Sequence, residues 1–416
     1  MSSKINTITD YQTIRLTLVA GARPNFMKVA PVIKAIKKLR AEGSAFDKSS
    51  ADKAGLRAQG AELSGRSISY RLVHTGQHYD RNMSDTFFTD LNIPEPDVNL
   101  GCGGGTQAEQ TAAIMIAFEK ELMANPADLV IVVGDVTSTM ACTIVAKKLN
   151  TKVAHIEAGI RSFDMTMPEE INRMVTDTLA DYFFTTSELA GSNLRKAGIP
   201  DEKIFFVGNV MIDTLLANRK NFRKPAIWDE QKLEKGNYLL VTLHRPNNVD
   251  DPAQLKALID AIIGSSHGIP VIFPVHPRTA QVIKKLRAQG SGRRAMGAEL
   301  RAQSSWFVAD NLMLTDPFGY LEFNYLMENA KAVITDSGGI TEETTVFGIP
   351  CITIRNSTER PETVTIGTNE LIGTDPEALK PVMERLFEGK WKKGGIPELW
   401  DGRAAERIIE VIMKLG

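Results

Sequence analysis

The chain has 416 residues, and its 49 Lys and Arg side chains nearly balance its 50 Asp and Glu side chains, leaving a formal net charge of −1. That length suits two domains of about 200 residues, and the balanced charge gives no field that would attract nucleic acid or an anionic membrane. Because no apolar run approaches the roughly 18 residues of a membrane span and the N-terminus is polar, we expect a cytoplasmic protein with a small-molecule partner.

The first half of the chain alternates apolar strands with helices. Residues 16–20 form a short apolar strand, and an amphipathic helix follows the loop at 21–24. A helix at 169–180 has apolar residues at helical spacing. Further strands are predicted at 70–73, 129–133, 153–156, 182–184 and 204–207. Continuous apolar strands separated by helices predict a parallel sheet covered on both faces.

The same pattern begins again at Tyr238, which predicts a second doubly wound α/β domain. Its strands are expected at 239–243, 271–273, 312–314, 332–334 and 351–354. We place the two Rossmann-like domains at 1–215 and 216–400, with a C-terminal helix at 401–416 packing across their border. Biased, weakly apolar composition marks 42–66 and 288–305 as insertions. Ligands of open α/β sheets bind beyond the carboxyl ends of the strands, so we expect a cleft between the domains.

The stretch 335–367 contains two features suited to an anion. An apolar strand runs into the Ser-Gly-Gly turn at 337–339 and then into a helix, whose first N–H groups can bind phosphate. Arg360 offers a planar fork of donors one strand later. The carboxylates of Glu342 and Glu343 are suited to ribose hydroxyls. Together these features predict a site for a nucleoside diphosphate.

Polar side chains follow the predicted strand ends in both halves. Asp135 is also a candidate N-cap of the helix beginning near Thr137, and Glu169 suits the positive end of a helix dipole, so both have a structural explanation. Glu157 has no such explanation. Carboxylates in different environments can have different pKa values, as acid and base catalysis requires. The candidates are Arg23, Lys28, Asp135, Glu157, Glu169, His244, Arg245 and His276.

Other sequence motifs lack the neighbouring strands, helices or ligand spacing that their usual functions require. The G-x-S-x-G match at 264–268 runs from a helix toward a strand, the reverse of a nucleophile elbow. The glycine run 101–105 has no clear apolar strand before it, which disfavours dinucleotide binding. Three scattered cysteines indicate neither disulfides nor a zinc site, and no metal-ligand spacing occurs. We therefore expect no metal ion and no redox cofactor.

Taken together, the motifs resemble the non-hydrolysing UDP-N-acetylglucosamine 2-epimerases, along almost the whole chain apart from the N-terminal leader and the two insertions. The matching runs include GARPNFMKVAPVI (21–33), HTGQHYD (74–80), GDVTST (134–139), HIEAGIRS (155–162), MPEEINR (167–173), LVTLHRPNNVDD (240–251), TDSGGITEE (335–343) and TERPETVTIGTNELIG (358–373). The resemblance implies a GT-B arrangement of the two domains, a homodimer, and a nucleotide held mainly by the second domain.

The resemblance also implies an isomerase. It would interconvert UDP-N-acetylglucosamine and UDP-N-acetylmannosamine for bacterial surface polysaccharide, by eliminating UDP to a 2-acetamidoglucal and adding it back. A UDP-diacetamido-uronate 2-epimerase, a hydrolysing 2-epimerase, a glycosyltransferase of the same fold and a non-catalytic UDP-sugar binding module remain open. Many family members have Arg-Arg-Glu-Asn after the histidine that matches His244, whereas this chain has Arg245-Pro246-Asn247-Asn248. That loop is tied to activation by a second substrate molecule in some members, so such regulation is left open.

Residue roles follow from the resemblance in the same way. Carboxylates near the sugar would be Asp135, Glu157 and Glu169, with His244 beside the diphosphate and Arg23 and Lys28 as its cationic partners. Phosphate oxygens would be bound by Ser337, Gly338 and Gly339, and the ribose hydroxyls by Glu343. The uracil would contact Phe323, and Arg360 would lie near the diphosphate. Arg245 and His276 complete the expected substrate-binding set.

Overall fold

The computed structural model describes residues 12–49, 66–77, 91, 93–275, 279–283, 306–309 and 311–415. These residues divide into two compact units. Unit 1 contains the described residues up to Thr214 together with those from Glu398 onward, and unit 2 is Leu215–Pro397. The chain therefore returns to unit 1 after completing unit 2.

Unit 1 is built on a seven-stranded sheet whose paired strands are all parallel. The strands are β1 (Gln12–Ala20), β2 (Arg66–His74), β3 (Val98–Asn99), β4 (Leu129–Val133), β5 (Lys152–Ile156), β6 (Tyr182–Thr185) and β7 (Ile204–Phe206). Their order is β3-β2-β1-β4-β5-β6-β7. The order reverses direction between β1 and β4, and this reversal is where doubly wound sheets bind ligands.

Helices cover the sheet of unit 1 because its strands are apolar on both faces. They are α1 (Arg23–Ser49), α2 (Gln107–Ala124), α3 (Thr137–Lys148), α4 (Pro168–Leu179), α5 (Glu188–Lys196), α6 (Val210–Asn218) and the C-terminal α14 (Ala404–Leu415). One core cluster joins Val19 and Val132 of the sheet to Ile114 and Phe118 of α2 and Val145 of α3. The C-terminal helix α14 packs against α1.

Unit 2 repeats the architecture with a second seven-stranded sheet. Its strands are β8 (Leu239–Thr242), β9 (Val271–Pro274), β10 (Trp306–Ala309), β11 (Leu312–Thr315), β12 (Ala332–Thr335), β13 (Cys351–Thr353) and β14 (Asn369–Leu371), in the order β10-β11-β9-β8-β12-β13-β14. The reversal lies between β8 and β12. Only β10, at the edge, is antiparallel to its neighbour in this sheet, because a connection as short as that between β10 and β11 permits a hairpin but no crossover.

The helices of unit 2 are mostly shorter. They are α7 (Ala226–Glu230), α8 (Pro246–Val249), α9 (Pro252–Gly264), α10 (Tyr320–Asn329), α11 (Gly338–Phe347), α12 (Pro361–Thr365) and α13 (Leu379–Phe387), with helical residues also at 279–283. One core cluster of unit 2 packs Leu239 and Phe273 of the sheet against Leu255 and Leu258 of α9 and Met383 of α13.

The expected pair of doubly wound α/β domains is confirmed. Helix α1 continues to Ser49, so the first part of the predicted insertion 42–66 is helical, while 50–65 and all of 288–305 lie outside the described residues. The short strands β3, β10 and β14 were not predicted. Among the described residues, no helix combines the length and hydrophobicity that a membrane crossing needs.

Candidate active site

In unit 1, helix α1 and the loop that leaves β5 bring a lysine and a glutamate together. The Nζ atom of Lys28 lies 2.8 Å from Oε2 of Glu157, and the two side chains are 13% and 3% exposed. Gly134 has a φ of 69°, and a Cβ there would lie 3.1 Å from that Nζ atom, so a larger residue would press on the ammonium. Glu157 itself has a φ of 69°, a left-handed conformation that is costly for a non-glycine residue and is concentrated at functional sites.

Asp135 pairs with an arginine of a neighbouring element. Its predicted role as N-cap of α3 is wrong, because Val136 occupies that position and no side chain caps the helix. The carboxylate of Asp135 instead pairs with the guanidinium of Arg173 in α4. Nδ2 of Asn172 donates to the carbonyl oxygen of Asp135 at 2.8 Å. Helix α4 therefore fixes both the backbone and the side chain of Asp135.

Two adjacent glutamates at the start of α4 have different surroundings. Oε2 of Glu170 accepts hydrogen bonds from the backbone N and the Oγ of Ser162 at 2.8 and 2.9 Å, and pairs with Arg173 at 2.8 Å. Burial alone would raise the pKa of Glu170, but these bonds hold it below its ordinary value. The side chain of Glu169 is half-buried and accepts no hydrogen bond from the part of the chain that the structure describes. Glu170 therefore holds the loop at Ser162, whereas Glu169 does not.

A buried charged cluster supports the loop after β4. The ring of His155 is fully buried, with Nδ1 lying 2.7 Å from Oδ1 of Asp177 and Nε2 lying 2.8 Å from the carbonyl oxygen of Gly134. Arg161 donates to Oδ2 of Asp177 at 2.6 Å. Burial would raise the pKa of Asp177, but the charges of His155 and Arg161 keep it below its ordinary value. This cluster fixes the carbonyl that immediately precedes Asp135.

In unit 2, His244 and Asp336 meet where β8 and β12 end, at the reversal of strand order. Nδ1 of His244 lies 2.7 Å from Oδ1 of Asp336, and the histidine side chain is 55% exposed while the aspartate is fully buried. Asp336 also accepts the backbone N–H groups of His244 and Arg245. The Nε atom of Arg245 is buried without a hydrogen-bond partner among the described residues. Asp336 was not among the predicted site residues.

The N-terminus of α11 is open, as a phosphate site requires. The helix begins at Gly338 rather than near Ile340, and Ser337 is its N-cap without a side-chain hydrogen bond. A Cβ at Gly339 would meet no atom within 4 Å. By contrast, Thr106 and Glu109 close the N-terminus of α2, which follows the glycine run 101–105, with a full capping box. Of these two glycine turns, only the one before α11 leaves its N–H groups to a ligand.

The acidic residues of α11 are held by two neighbouring elements. Arg360 pairs with Glu342, so its guanidinium is engaged with a carboxylate in this structure. Oη of Tyr320 donates to Oε1 of Glu343 at 3.1 Å. Burial, with a smaller contribution from the charge of Glu342, raises the pKa of Glu343 to about 8. A protonated Glu343 can donate as well as accept a hydrogen bond, which suits a diol.

Phe323 and Arg355 each have defined neighbours in unit 2. Phe323 lies on α10, one turn from Tyr320, and packs half-buried against the core cluster that contains Leu326. Sequence reasoning missed Arg355, whose guanidinium forms two 2.8 Å hydrogen bonds to the carboxylate of Glu359 and lies beside Gly338. His276 and the side chain of Arg23 lie outside the described residues.

Two doubly wound domains, one with acidic strand ends and one with an uncapped glycine turn suited to phosphate, define a protein of the two-domain α/β class. The family model described as UDP-N-acetylglucosamine 2-epimerase matches residues 61–413. The chain belongs to the UDP-N-acetylglucosamine 2-epimerase family, as the sequence motifs predicted.

Individual relatives agree with this assignment. The chain is 36% identical to the UDP-N-acetylglucosamine 2-epimerase of Methanocaldococcus jannaschii over 407 residues, covering 96% of this chain and 99% of the relative. It is 35% identical to the UDP-2,3-diacetamido-2,3-dideoxy-D-glucuronate 2-epimerase of Pseudomonas aeruginosa over 405 residues, covering 97% and 100%. The crystal structure of the M. jannaschii enzyme with UDP-GlcNAc and UDP matches with a TM-score of 0.76 at 35% identity, over 97% of this chain and 100% of that chain.

Proposed function

We propose that the protein interconverts UDP-N-acetylglucosamine and UDP-N-acetylmannosamine without releasing free sugar. A carboxylate removes the C2 proton while the bond between C1 and the diphosphate oxygen breaks, giving 2-acetamidoglucal and UDP. UDP then adds back to C1 as C2 receives a proton on the opposite face, so the reaction needs no oxidant or reductant. The product would serve the synthesis of surface polysaccharide.

The observation that carries this proposal is that the carboxylates of unit 1 have different contacts. Glu157 and Asp135 are each held by a cation, Lys28 and Arg173 respectively, whereas Glu169 is the least constrained. An elimination and its reverse need acid and base groups on the two faces of C2. We assign Asp135, Glu157 and Glu169 to these roles.

Unit 2 supplies the groups suited to the nucleotide. The uncapped turn of Ser337, Gly338 and Gly339 would receive phosphate oxygens. Glu343 would hold the ribose, and Phe323 would stack on the uracil. His244 and Arg360 would lie beside the diphosphate, with Arg23 and Lys28 of unit 1 as its cationic partners. Arg245 and His276 would complete the substrate-binding set.

Incubation with UDP-N-acetylglucosamine in heavy water tests the reaction. Proton NMR should show deuterium entering C2 of both epimers while the bond at C1 to UDP is retained overall. Product without deuterium at C2 would exclude the elimination. Stoichiometric free N-acetylmannosamine and UDP would instead identify a hydrolysing enzyme.

A second substrate is favoured by one comparison, the 35% identity to the diacetamido-glucuronate epimerase. That sugar carries an additional acetamido group at C3 and a carboxylate at C6. Measuring kcat/KM on both UDP-sugars decides between them. A ratio of 100 or more, about 2.7 kcal/mol of transition-state discrimination, in favour of the uronate would reassign the substrate.

We further propose that the protein is a homodimer through the α2 and α4 side of unit 1. Helix α4 buries its polar side chains, including Glu170, Arg173 and Asp177, and exposes Ile171 and Met174, which are 45% and 42% exposed. Helices α2 and α4 both pack on α3. Further large apolar side chains are exposed on α2 and just before α4, namely Ile116, Met123, Phe163 and Met165. A second copy of the chain would cover this surface.

A further inference from the structure

We propose that Asp336 is a positioning residue that fixes the ring orientation and the Nδ1-protonated form of His244, leaving Nε2 for the ligand. This inference deepens the proposed function, because it concerns the catalytic histidine placed beside the diphosphate, where an unprotonated Nε2 can accept a proton during the reaction. The 2.7 Å contact between Nδ1 of His244 and Oδ1 of Asp336 carries it. An imidazole whose Nδ1–H is bonded to a carboxylate has its tautomer set by that bond.

The surroundings of Asp336 make this carboxylate a fixed acceptor. It is fully buried at the end of β12, and burial alone would raise its pKa. The hydrogen bonds and charge supplied by His244, with bonds from Asn248 and Arg245, nevertheless lower the pKa of Asp336 below its ordinary value. Asp336 therefore stays ionised and can only accept hydrogen bonds.

The donors around the two carboxylate oxygens are not equivalent. Oδ2 accepts from the backbone N of Arg245 at 2.9 Å, from the backbone N of His244 at 3.0 Å and from Nδ2 of Asn248 at 3.0 Å. Nδ2 of Asn248 also donates to the carbonyl oxygen of Ile354 at 3.1 Å, which fixes the orientation of that amide. Oδ1 faces Nδ1 of His244 and has only a longer bond, 3.1 Å, from the same backbone N.

This asymmetry predicts what an amide would do in place of the carboxylate. In Asp336→Asn, the amide oxygen takes the Oδ2 position because three donors point at it. The NH₂ group then faces Nδ1 of His244, which can accept only when it carries no proton. The substitution therefore shifts the neutral ring to the Nε2-protonated tautomer while leaving the size of the side chain unchanged.

The test combines a spectroscopic measurement with kinetics on the full-length protein. Nitrogen-15 NMR, with the ring of His244 assigned by its loss in His244→Ala, should show Nδ1–H in the wild type and Nε2–H in Asp336→Asn. On UDP-N-acetylglucosamine, kcat of Asp336→Asn should fall by on the order of 10²- to 10⁴-fold with little change in the affinity for UDP. In the double variant with His244→Ala, the Asn substitution should cost almost nothing more, since the two residues act as a unit.

Asp213→Asn is the matched control, because Asp213 is also a buried carboxylate that accepts two backbone N–H groups but has no histidine partner among the described residues. Its kcat should stay within a few-fold of the wild type. A wild-type His244 protonated at Nε2 alone would overturn the inference even if Asp336→Asn failed to fold. Equal kinetic effects of Asp336→Asn with and without His244 would also overturn it. If the wild type lacked epimerase activity, the proposed function would fail, and the tautomer measurement would still decide the role of Asp336.

Discussion

Acidic side chains of unit 1 have different surroundings because different neighbours hold them. Glu170 and Asp177 are buried with several donors each and act as fixed acceptors, whereas Glu157 is paired with one lysine. The sequence could predict that Asp135 and Glu157 end adjacent strands. It could not predict the partner of Asp135, because Arg173 comes from a helix 38 positions along the chain and displaces the local capping role.

Neutralising either paired carboxylate should lower turnover by orders of magnitude without abolishing nucleotide binding. We expect Asp135→Asn and Glu157→Gln each to lower kcat by about 10²-fold or more, since each would remove an acid or base group but no residue of unit 2. Initial rates and UDP titration by calorimetry measure the two effects. Glu202→Gln, on an exposed turn, is the control and should behave as wild type. Near-normal kcat in either variant would remove that residue from the catalytic set.

The raised pKa of Glu343 predicts a pH-dependent stability. Its pKa is about 8 in the folded protein against an ordinary 4.5, so between these values the folded chain holds a proton that the unfolded chain has lost. The contribution of Glu343 to the free energy of unfolding is therefore fully present below about pH 4.5. It declines as the pH rises toward 8, by at most about 1.4 kcal/mol per pH unit. Denaturant unfolding of ligand-free wild type and Glu343→Gln at several pH values measures the difference.

Glu343→Gln should remove that decline, because a glutamine has no proton to lose. The matched control is Glu322→Gln, which changes a half-buried glutamate of α10 and should keep the wild-type pH dependence. Parallel pH profiles for wild type and Glu343→Gln would show that Glu343 is ionised in the folded protein at neutral pH.

Helix α4 shows where hydrophobic periodicity misleads. Its apolar residues at helical spacing predict the helix, and its bounds, Pro168–Leu179, agree closely with those expected. Periodicity alone would also predict that Ile171 and Met174 face the core, but they are exposed and the charged face is buried. The inversion occurs because Arg173 and Asp177 satisfy ion pairs inside unit 1, which a one-dimensional pattern cannot show.

Asp213, a buried side chain of α6, holds the start of the C-terminal helix α14 within unit 1. Oδ1 and Oδ2 of Asp213 accept the backbone N–H groups of Ala404 and Ala405 at 3.1 and 2.7 Å. Asp213→Ala should lower the free energy of unfolding of unit 1 by about 1–3 kcal/mol, because it leaves two buried donors without an acceptor. The urea midpoint of the unit 1 transition measures this.

The control for that change is Asp401→Ala, which removes a partly exposed ion pair with Arg407 and should cost about 1 kcal/mol or less. An effect of Asp213→Ala no larger than that of Asp401→Ala would mean that α14 is held by its packing on α1 rather than by Asp213.

The two sheets share one winding scheme, and this explains why the site residues could be located from sequence. In each unit the strand order reverses beside the first strand, at β1 and β4 or at β8 and β12. Asp135, His244 and Ser337 follow strands at these reversals, whereas Glu157 follows the next strand, β5. Long apolar strands made that scheme visible in the sequence. The strands β3 and β14 contain polar residues in segments of two and three, so they give no apolar run, and the positions of β3, β10 and β14 depend on pairing with their neighbours.

If the dimer forms through the exposed apolar surface of α2 and α4, lysine substitutions on α4 should prevent its formation. The wild type should sediment as a dimer, and Ile171→Lys combined with Met174→Lys should give monomers, because two ammonium groups would be buried without partners. Leu189→Lys, which alters an equally exposed apolar residue on α5, is the control and should leave the dimer intact. Sedimentation velocity over a range of concentrations separates these outcomes. A dimer that survives the double α4 substitution but is lost on Leu189→Lys would move the interface to α5.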